Sequence, residues 1–329
     1  MMNSTTSVTG RLDWIDWMKT IGIYFIVLGH FFSIGEKFIY VFNVPLFFVI
    51  SGFLYRKEKD NGIFWKKLWY NLIVPFLIMV AISFFYESAI SYKSGTFELS
   101  DIFIYWLNVA IGAQRVVATC WFIYTLIVIK ILYHWLPQKD IVCLLLSMVM
   151  LLLAFMYNHY EFVGHSSLRE PNSIVNVCTA FPFFAIGNYL KKYKSAFNSL
   201  HLAILIIVFI VGLSLVYLSG KYNDYVWMYM NGFGGNMVWF LLGGIGGTIC
   251  IYAISKLLGH VPRFVLVISK GTILILGFQM YFIEEFRRFF APSFLDFVNA
   301  WVVVLLFVPV ILLAEKYFPL ILGKYRMGK

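Results

Sequence analysis

Long apolar runs, broken by short polar connections, recur from one end of the chain to the other. A helix that crosses a bilayer needs about 20 consecutive, mostly apolar residues. On that scale about ten stretches qualify, at 17–35, 38–54, 68–90, 117–136, 141–157, 173–190, 201–219, 233–254, 264–283 and 298–314. The pattern predicts an all-α integral membrane protein of about ten transmembrane helices, organised as one multi-spanning domain over 1–329 with no appended soluble domain and no fixed-period repeat. Two connections are long. The first, 91–116, contains Asp101 to Ala113, an amphipathic or re-entrant piece too short to span; the second, 158–172, carries His159, Glu161, His165, Arg169 and Glu170.

Composition agrees with the pattern. Hydrophobic residues make up 61% of the chain and charged residues 13%, with a mean hydropathy of +0.82, which leaves too little polar surface for a soluble protein. The net charge of +10 is distributed unevenly. With the N-terminus inside, Arg56, Lys57, Lys59, Lys66, Lys67, Lys139, Lys191, Lys192, Lys194, Lys256 and Arg263 fall in cytoplasmic connections, joined by Arg11 and the tail residues Lys316, Lys324, Arg326 and Lys329. Fewer fall outside: Lys37, Lys93, Arg115, Arg169, Lys221, Arg287 and Arg288. Lysine and arginine accumulate on the cytoplasmic side, so both termini are expected there and the number of spans is expected to be even. Topology thus accounts for the charge without nucleic acid, and a basic inner face would also favour anionic lipids or an anionic cofactor. Cys120, Cys143, Cys178 and Cys250 all fall inside predicted spans without CxxC spacing and read as packing residues. The polar start Met1 to Gly10 precedes a first apolar run without a clear cleavage site, which reads as a retained signal anchor.

Gly243 and Gly247 share a small-xxx-small spacing that allows close helix approach, with a glycine-lined groove as the alternative. Pro45, Pro75, Pro182 and Pro309 lie within or near spans, where the broken backbone often borders a cavity.

The first segment holds the sharpest chemical signal. Lys19 and His30 are eleven positions apart, about three helical turns and about 16 Å of rise, so they look the same way. Ionisable groups inside a bilayer cost at least about 2.5 kcal/mol each and normally face a protein cavity or water. A polar passage along this helix is expected. His30 could be a hydrogen-bonded core residue or a general base; a metal role is disfavoured, because no His, Cys or carboxylate stands three or four residues away. Lys19 reads either as a snorkelling interfacial lysine or as a phosphate contact at a cytoplasmic mouth. Asp16 is placed to pair with Lys19, and Asp13 and Asp16 suit a helix N-terminus. Gln279, Tyr281, Glu284 and Glu285 could line an acceptor site or be solvated, and Asn43, Ser51, Asn176 and Asn236 need hydrogen-bond partners within the membrane. His159, Glu161 and His165 read as a solvated loop rather than a metal site.

Several motifs appear in a fixed order. Arg11-Leu12-Asp13-Trp14-Ile15-Asp16-Trp17-Met18-Lys19 leads to Gly29-His30, followed by Pro45-Leu46-Phe47-Phe48 and Ser51-Gly52-Phe53-Leu54. Later come Cys120-Trp121-Phe122-Ile123, Phe181-Pro182-Phe183-Phe184-Ala185-Ile186-Gly187 and Gly271-Thr272-Ile273-Leu274-Ile275-Leu276. Over nearly its whole length the chain resembles the acyltransferase-3 family, membrane enzymes that acylate, most often O-acetylate, sugars of the bacterial surface. The resemblance implies acetyl-CoA as donor at the cytoplasmic side of the bacterial inner membrane, a sugar or glycan acceptor, His30 as the catalytic residue and Lys19 as its basic partner, with no metal. Three departures stand out. Lysine replaces the common arginine at Lys19, which removes bidentate phosphate binding; an Arg-x-x-Arg motif after the second helix is missing, with Lys66 and Lys67 the nearest cations; and Gln279 stands near where relatives often carry histidine. Two other readings stay open from the residues alone: a secondary transporter or flippase for a glycan or small anion, and a non-catalytic membrane scaffold.

Overall fold

A computed structural model describes residues 11–31, 35–113, 120–137, 139–164, 172–289 and 293–324, with the backbone alone for 159–164. The tail Met1 to Gly10, Arg115, His165, Arg169, Glu170, Arg326, Lys329 and the side chains of His159 and Glu161 lie outside the described residues. Those described are almost entirely helical: α1 (Asp13–His30), α2 (Glu36–Tyr40), α3 (Asn43–Leu54), α4 (Asn61–Leu68), α5 (Val74–Ser94), α6 (Leu99–Ile111), α7 (Trp121–Trp135), α8 (Asp140–Gly164), α9 (Val177–Leu190), α10 (Lys194–Asn198), α11 (Leu202–Tyr222), α12 (Met237–Leu258), α13 (Arg263–Lys270), α14 (Thr272–Phe289) and α15 (Asp296–Tyr317). A π-helical turn at Trp69–Ile73 joins α4 to α5.

Every stretch expected to span holds a helix, but the stretches are not equivalent. Six segments are long and apolar enough to cross a membrane: Glu36–Leu54, Asn61–Ser94, Asp140–Asn158, Leu202–Tyr222, Met237–Leu258 and Asp296–Tyr317. A seventh results if α13 and α14, bent by 85° at Gly271, count as one span. The other three differ for physical reasons. Helix α7 has 15 residues and α9 has 14, and α1 carries Asp13, Asp16 and Lys19. These are inner helices, relieved of the need for a uniformly apolar surface because protein rather than lipid surrounds them. In α9, Phe181, Phe183 and Phe184 are fully buried. Lipid-facing α11, by contrast, exposes Ile207, Ile210 and Leu213. The piece expected over Asp101 to Ala113 is α6, a 13-residue helix with Leu99 and Phe103 exposed.

At the centre stands α1, packed by α3, α12, α13, α14 and α15. Polar bonds pin it along its length. Trp14 Nε1 donates to Asn198 Oδ1 at 2.9 Å, Thr20 Oγ1 to the Val265 carbonyl at 3.1 Å, and the Tyr24 hydroxyl to the Phe297 carbonyl at 3.1 Å. Tyr24 also stacks on Trp301 with ring centres 4.5 Å apart. Close backbone crossings surround it. A Cβ on Gly52 of α3 would lie 1.9 Å from the Phe184 carbonyl oxygen, and one on Gly187 of α9 would lie 2.0 Å from that of Val49. The spacing of Gly243 and Gly247 serves packing as well: Val41 and Phe42, at the break between α2 and α3, fill the space that their side chains would take.

Candidate active site

The two ends of α1 border chemically different surroundings. At its N-terminal end is a cavity of about 360 Å³ lined by Arg11, Leu12, Ile15, Asp16, Lys19, Phe53, Leu54, Arg56, Lys191, Lys194, Leu266 and Lys270. Six of these are cations and one is a carboxylate. The carboxylate is already committed, since Asp16 accepts from Arg11 Nε at 2.7 Å and from Ser269 Oγ at 2.5 Å. Lys270 bonds Glu315 at 3.1 Å. Neither Lys19 nor Arg56 nor Lys194 has a hydrogen bond or ion pair among the described residues. Among the described residues Lys191 Nζ donates only to the Tyr55 carbonyl, at 2.5 Å. Burial first, and then the charges of Arg56 and Lys194, pull the Lys191 ammonium below the ordinary lysine pKa. So positive and so little compensated, the cavity has the chemistry of a polyanion site, and its volume is that of a small-molecule pocket.

One further cation reaches this region. Lys130, on α7, lies within electrostatic range of Lys19 and has no hydrogen-bond or ion-pair partner among the described residues. It stands five residues before the end of α7, about 7.5 Å inward. That end is on the same face of the bundle as the cavity, because the carbonyl of the next residue, Leu136, accepts from Lys57 Nζ at 2.9 Å. Two half-buried lysines therefore lie within electrostatic range of each other inside the helix bundle.

His30, the last residue of α1, is half-buried at the far end of the helix. The Tyr40 ring stands perpendicular to it at 6.4 Å, and Tyr225 packs against Tyr40 at 5.2 Å. Arg287 acts electrostatically on both His30 and Tyr40. Glu36 lies beside Tyr40 and Tyr225. Asn43 is next door: a Cβ on Gly29 would touch Asn43 Nδ2 at 3.3 Å and Tyr40 Cε2 at 3.4 Å. Asn43 Oδ1 accepts from the Val44 amide at 2.8 Å.

Of the residues singled out by sequence, Lys19 lines the cavity, His30 closes the same helix, and Asn43 flanks His30. Ser51 is half-buried on α3, and Gln279 is buried on α14 with its Oε1 unpartnered among the described residues. Lys66 and Lys67 are not brought to the cavity; both are exposed on α4, where Lys67 pairs with Glu58 at 2.7 Å. Arg56, Lys191, Lys194, Lys270 and Lys130 were not assigned a site role by sequence reasoning. The charge of Arg56, Lys191 and Lys194 was accounted for by topology, Lys130 and Lys270 stand near or inside predicted spans, and only tertiary packing shows which of these cations converge. Among the described residues no cluster of His, Cys, Asp or Glu could hold a metal ion.

The comparison with known families settles what this arrangement belongs to. A family model described as an acyltransferase domain, of the acyltransferase-3 type, matches residues 12–314. The chain belongs to the acyltransferase-3 family. It is accordingly a membrane acyltransferase, and the matched region includes α1 with both Lys19 and His30, the α3 and α9 motifs that form the Gly52 and Gly187 crossing, and the α13–α14 bend. No curated protein and no solved structure gave a significant match.

Proposed function

We propose that the chain is an O-acetyltransferase of the bacterial cytoplasmic membrane, moving an acetyl group from acetyl-CoA to a hydroxyl of a surface polysaccharide or lipid-linked sugar. One observation carries the reading: a cation-lined cavity and a histidine occupy opposite ends of one central helix. Lys19 lines the cavity, and about 16 Å of helix rise separates it from His30, a span that an extended pantetheine arm can bridge. The donor's phosphates would be held by Lys19, Lys130 and the cavity cations, with the cavity facing the cytoplasm. His30 takes the proton from the acceptor hydroxyl as its oxygen attacks the thioester carbonyl. A C–O bond forms, the C–S bond breaks, and the imidazolium returns the proton to the departing CoA thiolate. The acyl-histidine route differs only in that His30 attacks first and the acceptor collects the acetyl group in a second step.

Purified protein in detergent, given radiolabelled acetyl-CoA and a sugar acceptor, is expected to form labelled ester. His30→Ala is expected to lower that transfer by at least about 100-fold, the usual scale of general-base catalysis, while CoA binding is retained. Normal transfer by this variant would overturn the catalytic assignment. Movement of a glycan across vesicles without acetyl transfer would point to a transporter instead.

A further inference from the structure

The cations of the cavity divide into two sets. Lys19 lies inward along α1, within electrostatic range of Lys130, whereas Arg56, Lys191 and Lys194 come from the ends of α3 and α9 and the start of α10. The outer three have a fixed relation to one another. Arg56 follows α3 by two residues and Lys191 follows α9 directly, and these two helices meet backbone to backbone at Gly52 and Gly187. The bond from Lys191 to the Tyr55 carbonyl ties the two ends together. Neighbouring cations are neutralised: Lys67 by Glu58, Lys192 by Asp140, Arg11 by Asp16 and Lys270 by Glu315. The outer three line one cavity and have no carboxylate partner among the described residues.

Three converging cations without a counter-charge match a group carrying close to two negative charges. A phosphomonoester carries about −1.5 to −2 at neutral pH, and an arginine fork beside two lysine point charges suits its three oxygens. We propose that Arg56, Lys191 and Lys194 form a subsite for a terminal phosphomonoester of the donor, distinct from the inner pair at Lys19 and Lys130. For a coenzyme A thioester that group is the 3′-phosphate of the ribose. The subsite makes the chain selective for the complete coenzyme over shorter pantetheine carriers, and it rests on the acyl-CoA reading of the cavity.

Calorimetric titration with CoA and with 3′-dephospho-CoA tests this on wild type, Arg56→Gln, Lys194→Gln and the double variant in detergent. Wild type is expected to bind CoA at least about tenfold more tightly than the dephospho form, the equivalent of one charge-assisted hydrogen bond. The double variant is expected to lose that preference by weakening CoA alone, with dephospho-CoA affinity and the unfolding midpoint unchanged. Equal affinity for the two ligands in wild type overturns the subsite but leaves the donor reading intact. Binding of neither overturns both. A lipid headgroup offers the same chemistry, so a short-chain phosphatidic acid forms a third arm: should it bind and displace CoA from wild type, but not bind the double variant, with no preference for CoA over its dephospho form, the cluster is a lipid site and the proposal fails.

Discussion

At the scale of single residues, the most tightly constrained positions are not the charged ones. Gly52 and Gly187 leave no room for a methyl group, because a Cβ on either would fall 2.0 Å or less from a carbonyl oxygen of the opposite helix. Gly187→Ala should therefore force α3 and α9 apart, a cost of about 1–3 kcal/mol or more, and lower the unfolding midpoint measured by differential scanning fluorimetry. Lys130 should behave in the opposite sense. Lys130→Gln removes a repulsion against Lys19, so the donor-free protein is expected to unfold at a higher temperature while its KM for acetyl-CoA rises about tenfold. A structural lysine would lose stability and leave KM alone. Residues differ in how openly the sequence shows their role. The place of Lys19 and His30 on one central helix was legible, because an ionisable residue in an apolar run has few explanations. Gly52 was legible only as part of a motif, since its reason is the carbonyl of Phe184, far away in the chain.

Helices taken as units show why length and composition place some of them and not others. Outer segments such as α11 and α15 meet lipid and must be uniformly apolar, which hydropathy detects. The inner helices α1, α7 and α9 are bounded by other helices, so they can be short or charged and still hold their places. The bend between α13 and α14 was not legible at all: the stretch 264–283 reads as one span, yet it turns by 85° at Gly271. A side chain there would collide with α15, since a Cβ would lie 2.2 Å from Ile311 Cδ1. Because α13 brings Leu266 and Lys270 to the cavity and accepts the Thr20 bond from α1, Gly271→Val should disturb the donor end of the site rather than stability alone. Both the midpoint and CoA affinity are expected to fall. Adding Ile311→Ala should restore part of each, because the far wall of the clash is a single flexible side chain. Restoration of neither would mean that the bend does not depend on this contact.

For the molecule as a whole, the distribution of charge fixes a parity. Arg11 and Lys270 share the cavity, and Lys270 and Lys324 share Glu315, so the two described ends of the chain lie on one face of the bundle. Ends on one face require an even number of crossings. Six segments, or seven if the bent pair is one span, are long and apolar enough to cross, and we propose that α1, α7 and α9 cross as well, which makes the ten expected from sequence. On that topology Lys59 faces the cytoplasm while Lys221 and Arg288 face outward. Single cysteines at these positions in an otherwise cysteine-free chain should separate cleanly: Lys221→Cys and Arg288→Cys react with a membrane-impermeant maleimide on intact cells, and Lys59→Cys reacts only after permeabilisation. The same geometry gives the reaction a direction. In proteoliposomes sorted by orientation, acetyl-CoA is expected to support transfer only from the side on which Lys59→Cys is labelled, because the cation-lined cavity opens there, with His30 at the other end of α1. The acceptor is expected to be modified from the opposite side. Equal transfer from donor on either side would show that the central helix does not separate two entrances, and the division of labour between Lys19 and His30 would have to be abandoned.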